Sequence, residues 1–238
     1  MTRQDMILLG LGFAAGAATL LGGFLALRLK NSLHLILGLS AGAVMGVAFF
    51  DLMPESVALA GRNAADVIAV TAAGFAIYMV VDRLALVMTQ GGHGHRGHIG
   101  AASLTVHSLL DGLGVGLAFQ VSPAVGVVLA VAVLAHDISD GINTVTMSLA
   151  SEGGATTARR WLAADATAPL AGIVLSLFVH VPKASLGLVL ALFAGFFLYI
   201  GASELIPESH HRHPRLWTTV ATVLGLAAMF GVVRLAGL

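Results

Sequence analysis

Two short stretches hold most of the chain's chemistry. They are His107-Ser-Leu-Leu-Asp111-Gly112 and His136-Asp137-Ile-Ser-Asp140-Gly141, the second lying 29 residues after the first. Both read H-x-x-x-D-G and both sit inside long apolar segments. On an α-helix, residues four apart share a face, so His107 stacks with Asp111 and His136 with Asp140, while Asp137 lies one position round. Imidazole nitrogens and carboxylate oxygens converging from two helices form a ligand set for a divalent cation such as zinc. The chain has no cysteine, which excludes disulfides and thiolate sites. Nitrogen and oxygen ligands suit Zn, Fe, Mn, Co, Ni or Cd better than a dedicated Cu(I) site.

Placing these acids in a membrane has a calculable cost. An aspartate at a helix centre costs roughly 2.5 to 3.5 kcal/mol, so Asp111, Asp137 and Asp140 together cost on the order of 10 kcal/mol. Water, protons or a bound cation can offset that, and the paired histidines favour the cation. The plainer reading is a polar cluster that glues two helices together. Glue rarely needs this charge density twice at one spacing, which favours the ion site.

The elements that must position these groups are membrane helices. The chain has 238 residues, 58% hydrophobic and only 10% charged, with a mean hydropathy of +0.94. Apolar segments fall at 6–27, 33–59, 67–88, 99–119, 124–149, 161–181, 186–206 and 216–233. Each is long enough for a crossing of about 20 residues. The expected fold is an all-α polytopic membrane protein of eight transmembrane helices. It forms one membrane transport domain over 1–238, with a short His/Gly-rich cytoplasmic loop at 89–98. Arg28 and Lys30 follow the first apolar run and only Arg3 precedes it, so that run reads as a retained span rather than a signal peptide. Twelve bases balance twelve acids, so nothing in the charge points to nucleic acid or a polybasic surface. The turns holding Arg28, Lys30, Arg83, Arg96, Arg159, Arg160, Arg212 and Arg215 outweigh those holding Arg3, Arg62, Lys183 and Arg234. The positive-inside rule then puts both termini outside the cytoplasm.

An internal repeat bears on function independently. Ala41-Gly42 through Asp51-Leu-Met-Pro54-Glu55-Ser56 in the second span matches Ala194-Gly195 through Glu204-Leu-Ile-Pro207-Glu208-Ser209 in the seventh. Both read A-G-x8-[DE]-L-x-P-E-S. Spans two and seven cross in opposite directions, which makes this an inverted repeat: spans 1–3 pair with 6–8, and spans 4 and 5 lie at the centre. Inverted repeats with a midplane site are a transporter signature.

Other residues carry weaker signals. His93, His95 and His98 in the loop either collect cytosolic metal or form a solvated turn. Glu208, His210, His211 and His213 form a second candidate metal-shuttling cluster at the seventh span's exit. His34 and His180 read as solvated interface histidines. Trp161 and Trp217 open spans, where an aromatic belt accounts for them. Asp165 either lines the path or snorkels, and Pro169 is expected to kink the sixth span. Asp82 and Arg83 are assigned no chemistry.

At this point the chain resembles the Zrt/Irt-like (ZIP) family of divalent-metal transporters over essentially its whole length. The family's H-N-x-P-E-G in span four is similar to His107-Ser108-Leu-Leu110-Asp111-Gly112. Its H/Q-D/N-x-P-E-G in span five is similar to His136-Asp137-Ile-Ser139-Asp140-Gly141. The resemblance implies paired metal sites built from His107, Ser108, Asp111, His136, Asp137 and Asp140, with Glu204 contributing to a second metal. It also implies no catalytic residues. Leu110 and Ser139 stand where the family has prolines, so the helices should kink less. Asp111 and Asp140 are each a methylene shorter than glutamate, and Ser108 is a poorer ligand than asparagine. A family methionine in span two falls near Val44 or Met45.

The function expected is uptake of a divalent cation, zinc or a similar ion such as Cd2+, Fe2+, Mn2+ or Co2+. It runs down the ion's gradient into the cytoplasm, through a homodimer in the inner cell membrane. No G-x-x-x-x-G-K-[ST] motif is present to couple ATP. A metal exporter of the cation-diffusion-facilitator type uses six spans and a terminal cytoplasmic domain, which fits less well. An intramembrane zinc hydrolase needs a closed three-ligand site with an open position for water, whereas doubled acids in an inverted repeat suit a moving ion.

Overall fold

A computed structural model describes residues 3–28, 33–61, 63–88, 93–149, 154–211 and 216–235. Every regular element among them is helical: α1 (Arg3–Arg28), α2 (Leu33–Val47), π1 (Ala48–Leu52), α3 (Met53–Ala60), α4 (Ala64–Met88) and α5 (His93–Val121) come first. Then follow α6 (Pro123–Leu149), α7 (Gly154–Ser176), α8 (Lys183–Tyr199), π2 (Ile200–Leu205), α9 (Ile206–His211) and α10 (Leu216–Leu235). Here α2, π1 and α3 form one continuous rod, as do α8, π2 and α9. The protein is an all-α polytopic membrane protein. Seven of the described helical rods are long and apolar enough to cross a bilayer. The exception is α7, which holds Arg159, Arg160 and Asp165 within its 23 residues.

Expected span limits hold to within about three residues except in the fourth, whose helix starts six residues earlier at His93, the seventh, whose rod runs five residues further to His211, and the sixth. There the helix starts at Gly154, whose φ of +50° suits a residue without Cβ. It ends at Ser176, five residues before the expected limit. Pro182 lies just ahead and biases the residue before it toward extended backbone, which opposes helix here.

The helices sort into two compact units. The first comprises Met1–Lys30, Val80–Gly116 and Asp137–Phe178; the second comprises Asn31–Met79, Leu117–His136 and Val179–Leu238. Backbone contact at glycines organises the first. A Cβ on Gly22 of α1 would collide with the Ile138 carbonyl of α6, and one on Gly141 of α6 with the Thr19 carbonyl of α1. The same reciprocity joins Gly112 of α5 to Pro169 of α7, and Gly172 of α7 to Leu109 of α5. Small residues let membrane helices approach this closely, where dispersion contacts rather than the hydrophobic effect hold them together.

The second unit contains both copies of the repeat. Gly42 of α2 abuts the Thr222 carbonyl of α10, and its counterpart Gly195 of α8 abuts the Thr71 carbonyl of α4. Past the glycines each copy opens into a π turn. The Met53 N–H donates to the Ala48 carbonyl, and the Ile206 N–H donates to the Gly201 carbonyl at the matching positions. Proline accounts for both turns: Pro54 and Pro207 lack the N–H that the carbonyl four residues back requires, and their rings crowd it. The repeat's last serines also behave alike. Ser56 Oγ donates to the Met53 carbonyl at 2.9 Å, and Ser209 Oγ to the Ile206 carbonyl at 2.7 Å.

Candidate metal site

Helices α5 and α6 run as unbroken α-helix through both H-x-x-x-D-G motifs. Leu110 and Ser139, where the resembling motifs have proline, keep the backbone donors that proline would remove. The 3.6-residue period therefore stacks each histidine on its aspartate. The glycine that closes each motif faces a neighbouring helix: Gly112 meets α7 and Gly141 meets α1. Each D-G pair thus presents a carboxylate one way and bare backbone another.

Within the first unit, His107 Nε2 lies 3.0 Å from Asp111 Oδ2 and 3.7 Å from Asp140 Oδ2. Donors held at about 2.0–2.2 Å from a tetrahedral zinc stand roughly 3.3–3.6 Å apart, so these two separations lie close to what a shared ion requires. His136 immediately precedes this unit's part of α6, and the helix itself stacks it on Asp140. One ligand atom from each of His107, Asp111, His136 and Asp140 falls within 4.8 Å of the others. All four side chains are buried, none more than 4% exposed. The Nδ1 of His136 is 2.9 Å from the Ala132 carbonyl. A carbonyl only accepts, so Nδ1 carries a proton, and Nε2 is the ring nitrogen that could serve as a ligand atom.

The remaining expected ligands are placed as follows. Asp137 is fully buried, about 100° round α6 from His136. Ser108 is fully buried too, and its Oγ donates to Asp165 Oδ1 at 2.7 Å. Glu204 lies in π2, in the second unit. Met45 of α2 packs its side chain against the surface left bare by Gly201 of π2.

Asp165 had two open readings, and snorkelling is not what it does. Its carboxylate is wholly buried, accepting from Ser108 on one oxygen and from Thr144 Oγ1 on the other at 2.7 Å. Three helices of the first unit, α5, α6 and α7, are tied at that one group. Thr144 was not anticipated, although its place one turn beyond Asp140 on α6 was a usable signal.

The loop histidines divide. Residues 89–92 lie outside the described residues, while His93 to His98 form the first turns of α5 rather than a linker. Trp161 Nε1 donates to His98 Nδ1 at 3.0 Å, which fixes that histidine. In the second cluster, His213 and the side chains of Glu208 and His211 lie outside the described residues. His210 is occupied locally: its Nδ1 is 2.9 Å from the Ile206 carbonyl and its Nε2 is 3.1 Å from Thr219 Oγ1.

Residues 91–235 match the family described as ZIP zinc transporter. Among characterised proteins, the human zinc transporter ZIP4 is 31% identical over 113 residues, which is 47% of this chain. The chain spans 18% of that relative's length.

Proposed function

Because the chain belongs to the ZIP zinc transporter family, we propose that it carries divalent metal ions across a membrane, with zinc as its substrate, rather than catalysing a reaction. The buried His107, Asp111, His136 and Asp140 group carries this reading. Its imidazole nitrogens and carboxylate oxygens supply a donor set suited to zinc. Ser108 and Asp137 are proposed as further ligands of the paired sites, and Glu204 as a contributor to a second metal. Ser108, by giving its proton to Asp165, leaves its oxygen lone pairs directed elsewhere. The direction proposed is uptake into the cytoplasm of a cell whose inner membrane holds the protein as a homodimer. In this reading 1–238 is one transport domain, α7 is the sixth of eight spans and both termini lie outside.

Asp140 separates an ion ligand from helix glue. Asp140→Asn keeps size and hydrogen bonding while deleting the charge. Metal flux in reconstituted vesicles is expected to collapse while the melting temperature holds. Glue predicts instead that the asparagine variant transports normally, because the amide relieves charge repulsion. Normal flux in Asp140→Asn would therefore remove Asp140 from the ligand set. Glu204→Gln is expected to lower flux less and shift ion preference more.

A further inference from the structure

The π1 turn of the second unit holds an acid that the His/Asp group does not use. Asp51 is 2% exposed, and neither carboxylate oxygen has a hydrogen-bond partner among the described residues. Buried polar groups are almost always satisfied, so such a carboxylate calls for a reason. Protonation alone does not supply one, because an O–H on one oxygen can meet a carbonyl of the turn but leaves the other oxygen without a donor. A cation, by contrast, satisfies both oxygens and the charge together.

Two further observations place an ion at this turn. Glu55 is four residues on, half-buried, and so stacked with Asp51 on one helix face. Two carboxylates balance a divalent charge. Pro54 also withdraws one N–H from the turn, so the carbonyls there outnumber the donors facing them. Broken or widened helix backbone of this kind supplies oxygen ligands to ions in membrane proteins. The second repeat copy keeps an acid, Glu204, at the matching position of a matching π turn. π turns inside α-helices are rare and concentrate at functional sites.

We infer that Asp51 and Glu55, with the backbone carbonyls of π1, form a second divalent-cation station, one built from oxygen ligands. It shares no residue with the His107 group and stands whether or not that group carries ions. All-oxygen ligation suits hard ions such as Mn2+.

Mn2+ bound to the purified full-length protein can be counted from the loss of the free ion's electron paramagnetic resonance signal. The comparison takes wild type, Asp51→Asn, Asp140→Asn and the double variant. Asp51→Asn is expected to remove one bound ion per chain or weaken it roughly tenfold or more. The loss should be equal in the wild-type and Asp140→Asn backgrounds, and Asp51→Glu should retain the ion. Glu55→Gln, at a half-buried position, should weaken the same ion. Unchanged stoichiometry and affinity in Asp51→Asn overturns the inference, as does a wild type that binds no Mn2+. A higher melting temperature in Asp51→Asn with unchanged Mn2+ binding would mark Asp51 as a protonated core acid and overturn it too. If Asp51→Asn does not fold, Glu55→Gln decides, and unchanged binding there is the contrary result. Loss of an ion in Asp140→Asn alone bears only on the His107 group.

Discussion

Ser108 and Thr144 converge on Asp165 from two helices, each donating at 2.7 Å. Removing either hydroxyl leaves a wholly buried carboxylate short of one bond, which costs about 1–2 kcal/mol for a charge-assisted contact between membrane helices. Ser108→Ala and Thr144→Val should each lower stability by that amount in detergent unfolding. Because they share one acceptor, the double variant should depart from additivity by about 0.5 kcal/mol or more. Strict additivity would mean that Asp165 does not link them. A second expectation follows from His107 and His136. Metal ligation needs neutral imidazole, and the ordinary histidine pKa is about 6.5, so protons compete with metal below it. Zinc affinity should fall between about pH 7.5 and 5.5, and a flat profile would contradict histidine ligation. The H-x-x-x-D spacing made the ligand pairs legible in the sequence, because four residues on a helix always stack. The Asp165 clamp was not, since no local pattern tells which hydroxyl on a distant segment will meet a given acid.

The D-G pairing has an element-scale explanation that the sequence did not reveal. Gly112 and Gly141 let α5 meet α7 and α6 meet α1 at backbone contact, so each motif carries its ligands and its packing surface in adjacent residues. Gly112→Val must push α5 away from Pro169, and a cost of about 1–3 kcal/mol or more is expected from overpacking. Gly10→Ala is the matched control, because a Cβ there meets nothing within 4 Å. It should be neutral or slightly stabilising, by up to about 1 kcal/mol from helix propensity. Thermal melts of the two variants test this directly, and equal melting temperatures would sink it. The repeat was readable as letters, and its prolines announced a disturbed helix. The π turns themselves follow from how each chain closes around a missing donor, which composition does not specify.

At the scale of the whole molecule, the apolar runs of about 20 residues made the helices readable. The limits of the sixth were not, because Arg159, Arg160 and Asp165 dilute its hydropathy. The cysteine-free chain offers a clean test of orientation. Gln4→Cys and Leu235→Cys should react with an impermeant maleimide from outside intact cells, whereas Thr156→Cys should not. The reverse pattern would invert the proposed topology. Transport itself is tested most directly by reconstituting the purified protein into liposomes and following Zn2+, Cd2+, Mn2+, Fe2+ and Co2+ at several membrane potentials and pH gradients. The account predicts saturable, protein-dependent Zn2+ flux down its gradient that Asp140→Asn abolishes. Vesicles showing no protein-dependent flux for any ion of the panel would contradict it.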